Sequence, residues 1–151
     1  ASENDQNYII YRLADVLLMK AEALIMQGHN EDAADLIDRT RERAGLGETT
    51  LSDDRMVMLE TLLVERQKEF FGEGKNWFDL LRIGLRSEQL NDTQYKTLFV
   101  EQALKAVGAS RQSLGRATLA NSGSWYLPYS EDELSKNPLL EQSDYYQSIS
   151  N

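Results

Sequence analysis

The chain has 151 residues, 41% hydrophobic and 27% charged, enough to bury the core of one ordinary domain. Its formal charge of −9 argues against nucleic acid or anionic lipid as partners, since both are held by clustered Lys and Arg. There is no cysteine, which removes disulfides, thiol catalysis and cysteine-ligated metal.

Two prolines and apolar residues spaced at three and four predict a mostly helical chain. Residues 1–7 are polar and are expected to be loose. From Tyr8 the spacing predicts a helix with Ile10, Leu13, Leu17, Ala21, Leu24 and Ile25 inward, widened by Ala14 and Leu18. Gly28 ends it. Asn30 is a candidate N-cap, with Glu31 and Asp32 where a helix dipole favours acids. The second helix turns Ala33, Ile37 and Ala44 inward and stops at Gly45. Small residues at Ala21 and Ala33 let two antiparallel helices approach closely, as in a tetratricopeptide-type unit. One such unit cannot bury its own faces, so neighbours are expected.

Ser52 is read as the cap of a third helix, followed by Met56, Leu59, Leu63 and Phe70. That helix leads into residues 65–84, ERQKEFFGEGKNWFDLLRIG. Glu65, Glu69 and Glu73 recur every fourth residue, which on a helix aligns three carboxylates. Gly72 and Gly74 break the helix. A short run then carries Trp77, Phe78, Leu80 and Leu81 with Asp79 and Arg82, and Gly84 is read as its cap. Acids and bases among aromatic rings predict a tight helical corner fixed by ion pairs of Glu65, Glu69, Glu73 and Asp79 with Arg66 and Arg82. Residues 8–45 and 53–83 therefore read as two successive helix pairs. Beyond them, 93–107 has the spacing of another amphipathic helix, and 108–123, rich in Ser, Gly, Arg and Ala, is expected to be a mobile loop. Residues 125–128 read as extended, Ser130 and Glu133 as a capping box, and Asn137-Pro138 as its stop. The aromatic tail is expected to fold back on the helices.

The order of residues in this middle stretch resembles the C-terminal motif of the SusD/RagB family, through Glu65, Arg66, Glu69, Glu73, Gly74, Phe78, Asp79, Leu80 and Arg82. Gly72 stands where the family commonly has an aromatic residue, and Asn76 where arginine is common. Further matches are Arg12, Ala14, Asp15, Leu18, Ala21, Glu22, Ala23, Arg41, Arg43, Ala44, Gly45 and Leu46. In the tail they are Leu127-Pro128, Glu131, Asn137-Pro138, Leu140, Gln142 and Tyr146.

This resemblance implies a non-catalytic, surface-exposed outer-membrane lipoprotein that captures oligosaccharide or another nutrient and passes it to a SusC-like TonB-dependent transporter. A family member carries a signal peptide and a lipidated N-terminal cysteine. Their absence here leads us to expect residues 1–151 to be a single C-terminal domain of a longer protein, with any lipid anchor outside this chain. Its expected parts are helical hairpins at 8–84, a variable helix and loop at 85–124 and a tail at 125–151. The fold class expected is all-α, tetratricopeptide-like helix pairs with an irregular C-terminal tail. The alternative function is a helical-repeat adaptor for proteins or peptides.

The residues themselves offer little chemistry. Glycosidases set two carboxyls across a cleft rather than in a row along one helix. The one histidine, His29, falls in a predicted turn without converging ligands, so no metal is expected. Ser130 has no histidine partner, and the glycines at 72 and 74 follow a helix instead of leading into one, so neither nucleophilic catalysis nor a phosphate cradle is supported. No enzyme activity and no cofactor are expected. Exposed aromatic faces stack on sugar rings. Trp77 reads as core, whereas Trp125, Tyr126 and Tyr129 are the ligand-binding candidates, although packing is the competing role for each.

Overall fold

A computed structural model of the protein describes residues 10–149; expectations for residues 1–7 and for Tyr8 fall outside them. The described residues form eight α-helices, one 3-10 turn and no strand. By backbone contacts the chain divides into two compact units, residues 1–79 and 80–151.

The first unit is built on α1 (Leu13–Gln27), α2 (Asn30–Arg43) and α3 (Arg55–Glu69), each packed against the other two. Gly28, with φ +84, closes α1, and Gly45, with φ +72, follows α2. Both are left-handed positions where glycine carries no Cβ penalty. Ala21 and Ala33 are fully buried and permit the close approach of α1 and α2, giving the tetratricopeptide-like pair. The core around them is Leu18, Ile25, Ile37, Met58, Leu59 and Leu62.

Several local expectations are corrected. The chain before Leu13 is not helical at residues 10–12, and α1 turns inward a stripe of Ala14, Leu18, Ala21 and Ile25. Ile10 and Leu13 face outward, and Leu17 and Leu24 are only half-buried. The cause is on the same helix: Asp15 is drawn into the interior by cations, and this rotates the apolar stripe away from the expected one. The N-cap of α2 is His29, because the Asn30 amide donates instead to the Ser52 carbonyl. Ala44 lies past the end of α2 and is exposed; Thr40 takes the inward place. The cap of α3 is Asp54, whose carboxylate accepts from the Met56 and Val57 amides at 2.7 and 3.4 Å, while Ser52 only supports Asp54.

α4 (Asn76–Leu90) begins in the first unit and continues into the second. It runs straight through Gly84, which is therefore not a cap. A Cβ there would lie 3.0 Å from Phe99 and 3.1 Å from Trp125, so glycine lets these rings pack closely on the helix. Trp77 and Phe78 are exposed, and the buried apolar residues of α4 are Leu80 and Ile83.

In the second unit α5 (Thr93–Leu104), capped at its start by Asp92, buries Tyr95, Leu98, Phe99 and Leu104, and it ends earlier than expected because the chain turns after Leu104. The expected mobile loop at 108–123 is instead α6 (Ala109–Leu119) followed by the 3-10 turn Ser122–Trp125. Arg, Gln, Ala and Leu are good helix formers. The glycine that suggested a loop, Gly115, sits against Leu104, where an added Cβ would meet a methyl at 2.5 Å. The tail holds two short helices, α7 (Glu131–Lys136) and α8 (Asp144–Ile149). Ser130 accepts from the Glu133 amide at 3.2 Å, and Asn137 ends α7. α8 folds back onto the 3-10 turn, with Tyr145 against Gly123.

Candidate functional site

Two places collect the residues singled out by sequence, one in each unit. In the first unit, residues 70–75 turn the chain out of α3 through Gly72 and Gly74, whose φ values are +80 and +72. Only Glu65 and Glu69 lie on α3; Glu73 is in the turn, so the three carboxylates do not form one helical row. Their partners also differ from those expected. Glu65 accepts from Arg41 at 3.0 Å. Glu69 accepts from Arg43 at 2.5 Å and from Arg12. Glu73 accepts from Arg12 at 2.8 Å and pairs with Lys75 at 3.2 Å.

Arg66, itself buried, donates to Asp79 at 2.7 Å and lies 3.7 Å from Asp15. Asp15 in turn accepts from Lys75 at 2.5 Å and from the Arg12 amide at 3.1 Å. At the centre is the buried ring of Phe70, with Arg12, Lys75 and Arg66 4.6, 4.7 and 4.8 Å from its centroid. The ring's negative face attracts cations that have left water, and each of these cations is also closed by a carboxylate. Arg82 belongs to the second unit, half-buried on α4.

The electrostatics follow the contacts. The Arg12 hydrogen bond, aided by Lys75, holds the Glu73 carboxyl below its usual range, although partial burial opposes this. The same bond to Glu73 raises the Arg12 pKa further above its ordinary value. Burial works against the charge on Lys75, but hydrogen bonds from it to Asp15 and Glu73 outweigh that, and its pKa is raised. An arrangement of this kind stores no free base. Every carboxylate in it is already bonded to a cation, which suits it to holding elements together.

Arg12, Asp15, Arg41 and Arg43 carry part of the family resemblance in sequence, but their pairing in the corner, like the part played by Lys75, emerges only with the fold. One signal in the sequence could have found Asp15: it is the sole charge in the otherwise apolar run LADVLLM at the start of α1. Spacing along the chain did not reveal these pairs because, the Lys75–Glu73 contact apart, the partners are 24 to 61 residues away.

In the second unit, Trp125 is buried to 1% exposure, its ring 4.5 Å from that of Phe99 and its indole N–H on the Leu119 carbonyl at 2.9 Å. A ring so enclosed has no face to offer a sugar. Tyr126 and Tyr129 are 48% and 49% exposed. Their backbones are fixed while their rings stay open. The Tyr146 hydroxyl donates to the Tyr126 carbonyl at 2.7 Å. The Gln142 side-chain amide brackets Tyr129, accepting from its N–H at 3.3 Å and donating to its C=O at 3.0 Å.

An all-α scaffold with a tetratricopeptide-like pair, a charged corner after its third helix and a tyrosine-bearing tail defines a helical-repeat class of protein. The chain belongs to the SusD family, whose sequence model matches residues 1–146. It is 37% identical over 89 residues to SusD-like protein P38 of Formosa agariphila, covering 54% of this chain and 18% of that protein. SusD-like protein P25 of the same organism is 28% identical over 144 residues, covering 93% and 24%. A crystal structure of a SusD superfamily protein from Bacteroides fragilis NCTC 9343 superposes with a TM-score of 0.62 at 28% identity, over 91% of this chain and 28% of that one. The chain thus spans roughly a quarter or less of the length of the curated relatives it matches.

Proposed function

We propose that residues 1–151 are the C-terminal domain of a longer, non-catalytic binding protein that captures oligosaccharide or a similar nutrient at the outer-membrane surface and delivers it to a SusC-like TonB-dependent transporter. The observation that carries this reading is the match to the SusD family along nearly the whole chain. In it, the charged corner is scaffold. Its glutamates are consumed by ion pairs, and a hydrolase would need two carboxyls facing each other across an open cleft. Attachment to the membrane is by a lipid anchor outside this chain; no helix among the described residues is long and apolar enough to cross a bilayer.

Capture in this reading is aromatic stacking plus hydrogen bonding, with no bond made or broken. Within this chain the open rings of Tyr126 and Tyr129 are the contacts proposed for a sugar, while Trp125, buried against Phe99, belongs to the core. Isothermal titration of the full-length protein against a panel of glycans tests the reading, with product analysis after long incubation. The expected result is saturable heat for at least one glycan, weakened severalfold by the double change Tyr126→Ala and Tyr129→Ala, with the glycan recovered intact. Binding unaffected by that variant removes the two tyrosines from the site. Cleaved product, or tight binding of peptides with no glycan bound, overturns the functional reading.

A further inference from the structure

The segment that carries Tyr126 and Tyr129 does not hold itself in place. Tyr126 is extended, with φ −101 and ψ 153. Pro128 has a fixed φ of its own and keeps Leu127 extended as well. A single extended strand makes no hydrogen bonds within itself. Among the described residues, no main-chain to main-chain bond joins 127–129 to another segment. Order comes instead from two side chains of the tail. Gln142 meets both main-chain groups of Tyr129, at 3.3 and 3.0 Å, as a neighbouring strand would. Gln142 is itself fixed: its Oε1 also accepts from the Ser143 amide at 3.2 Å, and its main-chain carbonyl accepts from the Gln147 side chain at 2.6 Å. The second side chain is Tyr146 of α8, whose hydroxyl holds the Tyr126 carbonyl at 2.7 Å. Its ring lies edge-on to Tyr145, 4.9 Å between centroids, and Tyr145 backs onto Gly123, so α8 is seated on the 3-10 turn.

We propose that Gln142 and Tyr146 are positioning residues for the sugar contact. They clip residues 126–129 so that the two open rings stand at a set separation before a ligand arrives, which selects a chain of several sugar units over a single one. This rests on the reading of Tyr126 and Tyr129 as sugar contacts. Three residues of extended chain put their Cα atoms about 10 Å apart, farther than one pyranose ring spans, so only an oligosaccharide meets both rings at once. Rings fixed beforehand spare the ligand the cost of ordering the strand. A released strand still lets each ring stack on one sugar unit, but the joint hold on a single chain is lost. Both clips reach main-chain atoms and leave the aromatic faces open, as a positioning role requires.

The test uses the full-length protein and two near-isosteric changes. Tyr146→Phe removes only the hydroxyl, and Gln142→Met keeps the length of the side chain while removing its bonds to Tyr129. Hydrogen exchange along 126–129 reads the clip without any ligand. Isothermal titration with linear gluco-, xylo- and manno-oligosaccharides, alongside their monosaccharides, reads its consequence. Both variants are expected to exchange faster at 126–129, with α4 and α5 unchanged, and to bind the longer oligosaccharides about fivefold more weakly. Neither change is expected to weaken binding further in a Tyr126→Ala, Tyr129→Ala background, because each acts through those rings. Should Gln142→Met fail to fold, Tyr146→Phe carries the test alone. Unchanged exchange overturns the inference. So does unchanged affinity in the clip variants when the double tyrosine change weakens binding, and the functional reading then stands. An equal loss in the background without the tyrosines also overturns it, since the clip would then serve the fold alone. An unaltered protein that binds no glycan overturns the functional reading and the positioning role with it, and the exchange rates tell that failure from the others.

Discussion

The corner of the first unit and the tail of the second use the same kinds of residue to opposite ends. In the corner, Arg12, Arg66 and Lys75 surround one buried ring, and their carboxylates come from α1, α3, the turn and α4. Apart from Glu73 and Lys75, which are neighbours in the turn, partners lie 13 to 61 residues apart, so these bonds tie distant segments. In the tail, the hydrogen bonds on Tyr126 and Tyr129 span 20 and 13 residues, reach backbone atoms and leave both rings in water. Buried charge is costly to orphan, whereas exposed polar contacts exchange readily with solvent. The corner therefore spends its chemistry on shape, and the tail keeps its aromatic faces free.

The sharpest way to break this contrast is at Arg66. Arg66→Ala removes the hydrogen bond that Arg66 donates to the buried Asp79 and weakens the surroundings of Asp15. A loss of about 3–5 kcal/mol is expected, as when one partner of a buried pair is removed. Urea or thermal unfolding of the full-length protein reads it. A midpoint that does not move would place Arg66 in solvent and end the distinction. Next in size is the second unit's own tight point. Gly84→Val sets two methyls where even a Cβ is 3.0 Å from Phe99 and 3.1 Å from Trp125. About 1–3 kcal/mol should be lost by overpacking. Gly115→Ala, which meets only the flexible end of Leu104, is expected to cost far less in the same assay.

These sites also show what the sequence could and could not say. Helix identity was legible wherever period and cap agreed, as at Gly28, Gly45 and the Ser130 N-cap. It failed where glycine served a contact instead of a break. At Gly84 and Gly115 the reason for glycine is a neighbouring side chain from another helix, and nothing local distinguishes that from a turn. The inward face of α1 was misassigned for a related reason: a long-range ion pair on Asp15 overrode the stripe that hydrophobicity alone favours. The corner's acids were visible as a spacing of four, but most of their partners were set by tertiary contact. For Tyr126 and Tyr129 only their place beside a variable segment was readable along the chain, and exposure came with the fold.

The smallest effect lies at the rim of the corner. The Glu73 side chain is about a third exposed, so solvent screens its pairs with Arg12 and Lys75. Glu73→Gln should cost less than about 1 kcal/mol at neutral pH. The pH dependence identifies its origin. An unfolded glutamate titrates near about 4.3, and in the folded protein Glu73 is held lower by the hydrogen bond from Arg12. Its contribution is thus complete above the unfolded value and is lost as pH falls through the folded one. Many carboxylates titrate in that range, so the informative quantity is the difference in unfolding midpoint between the protein and Glu73→Gln, followed from pH 7 downward. That difference should shrink toward zero as pH falls below the unfolded value and through the lower folded one, and it should be absent at every pH in an Arg12→Gln, Lys75→Gln background. A difference that persists in acid would mean that Glu73 acts through packing in the Gly72–Gly74 turn, and the rim would then belong with the buried part of the corner.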